Sequence, residues 1–416
     1  MITTEPIRSP QLNRLQEELK SGNKESLKFF WKSIKEQGTP LVEEFESDSE
    51  ERIVTFLWQA SGGTKSVALV SQMTKPTTYP MTRLLDTDLW YITLQLPADL
   101  RATYQFLPSD APASAKGTFD ESCEDYRPDP LNPKVFVYYD DQEDPTGIKL
   151  ARSVLELPDA APQPWTEPQE YVSKGKVQLH QLQSKILGNE RRVWVYSPAK
   201  YTAGLGQPYP LLVLFDGWAY ARLVPTFTIL DNLVAERVIP PVVVVLLESL
   251  DAKTRSRELV FHQSFNDFLV TEFLPWVLTQ YAISTDPSQR ILGGSGTGGL
   301  AAAYAALGHP DVFGSVLSQS GAFGLLPKGE PETSWLARQF YEREKLPLKF
   351  YLSVGTLEAN NFRELRGRPS TLAENHRMYE ALRSKGYKVH YTEFSGGHDY
   401  ISWQGMLAKG LMALLG

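Results

Sequence analysis

The stretch Arg290-Ile291-Leu292-Gly293-Gly294-Ser295-Gly296-Thr297-Gly298-Gly299-Leu300 constrains this chain more than any other. An apolar run ends in a glycine cluster holding one serine, and an alanine-rich helical pattern follows at once through Leu307. Strand, tight turn and helix in succession is the setting of a nucleophile elbow, where a serine on a strained turn exposes its hydroxyl above a sheet. The glycines frame two registers. With Ser295 at the apex, Gly293 lies two before it but the β-branched Thr297 lies two after it, where it crowds the helix–strand contact. With Gly296 at the apex, Gly294 and Gly298 flank it and glycine tolerates the strained backbone, but no hydroxyl is supplied. The sequence leaves both registers open.

A chain of 416 residues exceeds one average domain, so two are expected. Apolar spacing at Leu12, Leu15, Leu19 and then Leu27, Phe30, Trp31, Ile34 predicts helix over residues 9–37. Short β-branched and aromatic runs follow at Ile53–Trp58, Val67–Val70, Trp90–Leu94 and Thr103–Phe106, separated by turn formers as in a β-sandwich. Residues 109–133 read as loop, and the Pro/Ala/Asp stretch Leu157–Pro164 as the linker. Beyond about residue 170, strand patterns alternate with helical ones. Strands are predicted at Arg192–Tyr196, Leu211–Phe215, Val242–Leu247, Arg290–Gly293, Ser315–Ser318, Phe350–Val354 and Val389–Phe394, with helices over 263–281, 299–308 and 372–386. Buried runs separated by helices imply a mostly parallel sheet covered on both faces, with chemistry at the carboxyl ends of its strands. The predicted organisation is a helical lead-in plus all-β sandwich over 1–155, a linker over 156–172, and an α/β domain with a mostly parallel sheet over 173–416.

Acyl transfer needs a nucleophile, a base, a group orienting the base, and donors for the oxyanion. In an α/β-hydrolase the order along the chain is serine, acid, histidine. After Ser295, the strand Phe350–Val354 ends in a turn carrying Glu358, and a later strand ends in Phe394-Ser395-Gly396-Gly397-His398-Asp399. Of six histidines, His398 alone combines a late position, a strand end and flanking glycines, which makes it the candidate base. The oxyanion donors are expected from backbone amides of Gly217 and Trp218, just past Leu212–Phe215, and of Gly296. Arg255 and Arg257, expected just before a helix, are candidates for holding an anionic substrate, or else surface charges paired with carboxylates. Trp218, Tyr400 and Trp403 are candidates for an aromatic wall.

Other chemistries fit less well. Gly294–Gly299 matches G-x-G-x-x-G, but no acid follows at the next strand end, Leu317-Ser318-Gln319-Ser320-Gly321, as a dinucleotide site requires. The Gly-Lys-Ser/Thr of a P-loop is missing, and one cysteine with no close His/His or His/Glu spacing argues against a metal site. No cofactor is expected. A net charge of −7 without a basic block argues against nucleic acid, and no apolar run approaches the roughly 18–20 residues of a membrane span. Met1–Lys20 lacks a signal-peptide pattern, so a cytoplasmic location is expected. Cys123, followed by Glu124 and Asp125, reads as structural or incidental.

Taken together, these residues resemble the enterochelin esterase family, cytoplasmic hydrolases that open ferric catecholate-siderophore trilactones. In the first region the resemblance rests on Trp31, Gly38–Glu43, Val54–Trp58, Met81–Leu84, Thr87–Tyr91 and Asp129–Pro133. In the second it rests on Leu214–Gly217, Arg255–Leu259, Phe313–Gly321 and Gly396–Asp399. The resemblance implies an N-terminal β-sandwich that helps hold the siderophore, an α/β-hydrolase domain, His398 as base, Glu358 as acid, and a small-molecule ester as partner. Arg255, Arg257 and Tyr400 are the expected substrate contacts. The family pattern Gly-x-Ser-x-Gly-Gly-Leu, counted back from Gly298-Gly299-Leu300, places Gly296 where the serine belongs. The expected function is therefore serine-type hydrolysis of a ferric siderophore ester, or, with Gly296 at the nucleophile position, binding of such an ester without turnover.

Overall fold

Aromatic side chains from two antiparallel sheets meet at the centre of the N-terminal unit. Phe56 packs edge-on against Tyr104 with ring centroids 4.8 Å apart, and Trp58 against Phe106 at 5.3 Å. One sheet has the order Leu41–Glu44, Glu51–Gln59, Leu89–Pro97, Thr82–Arg83. The other runs Thr78–Pro80, Ser66–Ser71, Arg101–Ser109, Ile148–Glu156, Val135–Tyr139. These contacts make the unit a sandwich. The structure, a computed structural model, describes residues 9–45, 49–73, 78–111, 125–139, 148–202, 208–360 and 369–416. Cys123 lies outside the described residues.

The helical lead-in is two helices rather than one continuous stretch. Pro10–Lys20 opens on Ser9, whose hydroxyl accepts from the Leu12 amide, and Gly22 at φ 92° turns the chain into Glu25–Gln37. Leu12, Leu15, Trp31 and Ile34 bury their apolar face with Leu41, Leu57, Leu84, Leu89 and Tyr91. Val135–Tyr139 and Ile148–Glu156 are strands that the loop-like composition around them concealed.

The C-terminal unit holds an eight-stranded sheet in the order Lys176–Ser184, Asn189–Ser197, Val243–Leu247, Leu211–Phe215, Arg290–Ser295, Ser315–Gln319, Lys349–Gly355, Lys388–Phe394. The first two pairings are antiparallel and the remaining five parallel. Every residue of Leu211–Phe215, Val243–Leu247 and Ser315–Gln319 is buried, as expected for strands covered on both faces. The helix expected over 263–281 is interrupted by a π-helical turn at Leu269–Phe273, between Gln263–Phe268 and Leu274–Gln280.

The chain divides into two contact units: Met1–Ala161 together with Ser395–Ile401, and Pro162–Phe394 together with Ser402–Gly416. The glycine-rich segment carrying His398 is thus counted with the sandwich unit, although it directly follows the last strand of the parallel sheet.

Candidate active site

The strand Arg290–Ser295 ends at the carboxyl edge of the parallel sheet and the helix Thr297–Gly308 begins two residues later. Between them Gly296 has φ 56° and ψ −116°. A side chain strains that backbone, whereas glycine adopts it without penalty. The other glycines of the cluster are there for space. A Cβ on Gly294 would sit 2.9 Å from the Gly298 Cα, and one on Gly299 would sit 2.3 Å from Ser318 Oγ. Helix and strand therefore touch backbone to backbone on either side of Gly296.

Ser295 is not at the turn. It is the last residue of the strand, pairs with Gln319, and is 2% exposed. Of the two registers that the sequence leaves open, this backbone has the bend of the second: it comes one residue after Ser295. The expectation that the Gly296 amide serves an oxyanion is corrected. That N–H extends the parallel ladder, donating to the Gln319 carbonyl at 2.9 Å. The amides left without an intrahelical acceptor at this junction belong to the first turn of the following helix.

The turn after Leu211–Phe215 is shaped by two residues. Asp216 takes a left-handed conformation at φ 59°, ψ 49°, and Gly217 starts the short helix Gly217–Arg222. A Cβ on Gly217 would lie 2.6 Å from the Leu246 carbonyl carbon, so only glycine lets the turn press against the neighbouring strand. Trp218 is half-buried beside it.

Glu358 lies just beyond Lys349–Gly355, in a short 3₁₀ turn, and is completely buried. Its Oε1 accepts from the Gly355 amide at 2.9 Å and from the Ser320 hydroxyl. Ser320 in turn accepts from the Trp403 indole N–H at 2.9 Å. A carboxylate held this deeply by specific donors is a fixed feature of the site rather than a solvated loop charge.

The His398 loop is held from within its own unit. The His398 amide donates to Gln72 Oε1 at 2.8 Å, and Gln72 Nε2 donates to the His398 carbonyl at 3.2 Å. The imidazole itself is exposed.

A family model described as "Putative esterase" matches residues 184–414, and one described as "Enterochelin esterase, N-terminal" matches residues 53–166. An Iron(III) enterobactin esterase of Escherichia coli O6:H1 is 30% identical over 387 residues, covering 87% of this chain and 90% of its own. The chain belongs to the enterochelin esterase family. Among solved structures, the ferric enterobactin esterase of Salmonella typhimurium superposes with a TM-score of 0.76 at 26% identity, covering 93% of this chain and 98% of its own. The enterobactin esterase of Shigella flexneri, solved in the presence of enterobactin, gives 0.73 at 28% identity, covering 92% and 97%.

In this chain the candidate substrate arginines do not stand free before a helix. Both lie inside the helix Ala252–Glu258. Arg255 is doubly engaged by Asp216, with Nε to Oδ1 at 2.7 Å and Nη2 to Oδ2 at 2.6 Å, while Ser249 donates to Oδ1 at 2.8 Å. Arg255 thus has the carboxylate pairing that was one of its two expected roles, and its fork braces the turn ahead of Gly217. Arg257 is over half exposed, 3.7 Å from Glu258. Glu258 is buried and bidentate with Arg191, at 3.0 and 3.1 Å. Trp403 is buried and hydrogen-bonded, so it belongs to the support of Glu358 rather than to an aromatic wall; Tyr400 is half-buried at the start of Tyr400–Leu415.

The sequence reading missed Ser320 and Gln319 as supports. Gln319 is completely buried, accepts from Tyr220 Oη at 2.6 Å and donates to the Trp403 carbonyl at 2.6 Å. The available signal was a run of polar residues, Ser318-Gln319-Ser320, at the end of an otherwise apolar strand. Among the described residues no group of histidine, cysteine, aspartate and glutamate is placed to hold a metal ion, and no helix is long and apolar enough to cross a membrane.

Proposed function

We propose that this protein recognises a ferric catecholate siderophore or a related ester in an enterochelin-esterase site whose serine acyl-enzyme route is closed. The ligand class is supported by the likeness to the enterobactin esterases over nearly the whole chain. The closed route rests on Gly296. It has the left-handed φ on the sharp strand-to-helix turn, and a glycine there brings no hydroxyl to that place. Iron enters as part of the ligand, not as a resident cofactor.

A second reading, hydrolysis, is favoured by the buried and hydrogen-bonded Glu358, an acid retained in the order an esterase needs. In that reading His398, oriented by Glu358, takes a proton from water and the water oxygen attacks the ester carbonyl. Backbone amides near Gly217, Trp218 and the first turn of Thr297–Gly308 hold the oxyanion. The expelled alkoxide then recovers the proton from the imidazolium.

Fluorophosphonate labelling with peptide mapping, run beside ligand binding and ester turnover, separates these outcomes. The expected result is binding of a ferric catecholate by the wild type with no adduct, and an adduct in Gly296→Ser. Wild-type turnover without an adduct that disappears in His398→Ala selects the water route. An adduct on Ser295, lost in Ser295→Ala, overturns the assignment of the elbow.

A further inference from the structure

Asp399, next to the candidate base, is a buried carboxylate that the reaction itself does not use. It is 5% exposed. Its Oδ1 accepts from Tyr138 Oη at 2.7 Å, its Oδ2 accepts from the Thr103 hydroxyl, and Arg152 Nη1 stands 3.9 Å from Oδ2. These partners come from three different strands of one antiparallel sheet, Arg101–Ser109, Val135–Tyr139 and Ile148–Glu156. Burying a carboxylate is costly unless it is paired and hydrogen-bonded, and here both conditions are met. The Tyr138 phenol is driven up in pKa by burial and then by the Asp399 charge, so it stays a donor through the whole physiological range.

The same segment is gripped at two further points. Gln72 pairs with both backbone groups of His398, much as an adjacent strand pairs with its neighbour, and the Arg101 amide donates to the Ser395 carbonyl at 3.1 Å. Gly397 has no alternative under that carboxamide: a Cβ would lie 2.4 Å from Gln72 Oε1. Gln72 and His398 are 326 residues apart in sequence, and Thr103 and Asp399 are 296 apart.

We infer that Gln72 and Asp399 are positioning residues for His398: hydrogen bonds within its own unit fix the segment that carries the base. Backbone that runs through Ser395-Gly396-Gly397 into His398 has many conformations available to it. The carboxamide clamp and the locked carboxylate on either side of it remove most of them, which is the entropy that preorganisation saves. This inference rests on the reading of His398 as the base, and its test is built to fail separately from that reading.

The test combines amide hydrogen exchange across residues 395–401 with ester kinetics in the Gly296→Ser background. Gln72→Ala removes the clamp at a half-buried position. Gln72→Glu keeps the acceptor for the His398 amide and loses the donor, and Asp399→Asn leaves one of the two hydroxyl donors without an acceptor. Expected are faster exchange confined to 395–401 in Gln72→Ala and Asp399→Asn, and partial recovery in Gln72→Glu. In the Gly296→Ser background kcat falls tenfold to a hundredfold with KM within about twofold, since a misplaced base costs turnover rather than binding. Exchange at 395–401 unchanged in both Gln72→Ala and Asp399→Asn overturns the inference. Exchange that behaves as expected while Gly296→Ser shows no turnover leaves the positioning intact and counts against His398 as the base.

Discussion

Gly296→Ser tests in one protein whether position 296 is the apex of the elbow. A serine at φ 56°, ψ −116° is held in sparsely populated backbone space, which costs about 1–3 kcal/mol. Losing a glycine also restricts the unfolded chain, which offsets about 0.4–1 kcal/mol of that. The net destabilisation is about 0–2.6 kcal/mol, and for a cooperative unit of this size it lowers Tm by up to roughly 10 °C. Gly296→Ala carries the same strain without the hydroxyl, so the difference between the two variants isolates the chemistry. Differential scanning fluorimetry gives the first quantity and fluorophosphonate adduct formation the second. Both variants are expected to lose stability in parallel, and only the serine is expected to be labelled. A serine variant as stable as the wild type and still unlabelled refutes the placement of position 296 at the apex of a working elbow.

Three further outcomes follow from other buried groups. Glu258→Gln strands the almost completely buried Arg191 guanidinium, so a chemical denaturation curve is expected to show a loss of about 3–5 kcal/mol; a loss below 1 kcal/mol contradicts the pairing. Ser320→Ala removes an acceptor from the Trp403 indole N–H and a donor from Glu358, for an expected cost of about 1–3 kcal/mol by the same measurement. Asp129 is raised in pKa chiefly by burial, so the folded protein binds its proton more tightly than the unfolded chain. Stability therefore falls as pH rises from the unfolded carboxyl value of about 3.9 through the folded one, and the penalty persists above it. Asp129→Asn is expected to flatten that fall and to be relatively more stable at pH 7 than at pH 4, read from unfolding midpoints across pH; a parallel pH profile would sink this account.

Much of the scaffold was legible because its residues are repetitive. Leu211–Phe215 and Val243–Leu247 announce themselves as unbroken apolar runs, since a strand covered on both faces has no polar side to show. The edge strand Lys176–Ser184 did not, because half of its residues face water. The two sandwich strands Val135–Tyr139 and Ile148–Glu156 lie beside Pro- and Asp-rich chain, whose composition outweighs five or nine β-forming residues. Arg255 shows a different limit: its type and position suggested a ligand, yet its partner Asp216 lies 39 residues earlier and is invisible to spacing.

By itself the sequence determined the family, the order of the sandwich and the parallel sheet, and the residues that any acid, base or elbow had to come from. It also carried both possible registers of the glycine cluster, because five glycines and one serine satisfy either count. The register was decided by tertiary packing: the Thr297–Gly308 helix approaches the Arg290–Ser295 strand closely only if Gly294 faces Gly298, and that leaves Gly296 alone at the left-handed turn. The grouping of the His398 segment with residues 261 to 326 positions earlier is likewise a product of folding, since its hydrogen bonds to Gln72, Thr103 and Tyr138 exist only once the sheet around them has formed. Local pattern specifies local backbone, whereas a contact across hundreds of residues is specified only by the cooperative packing that brings its two ends together.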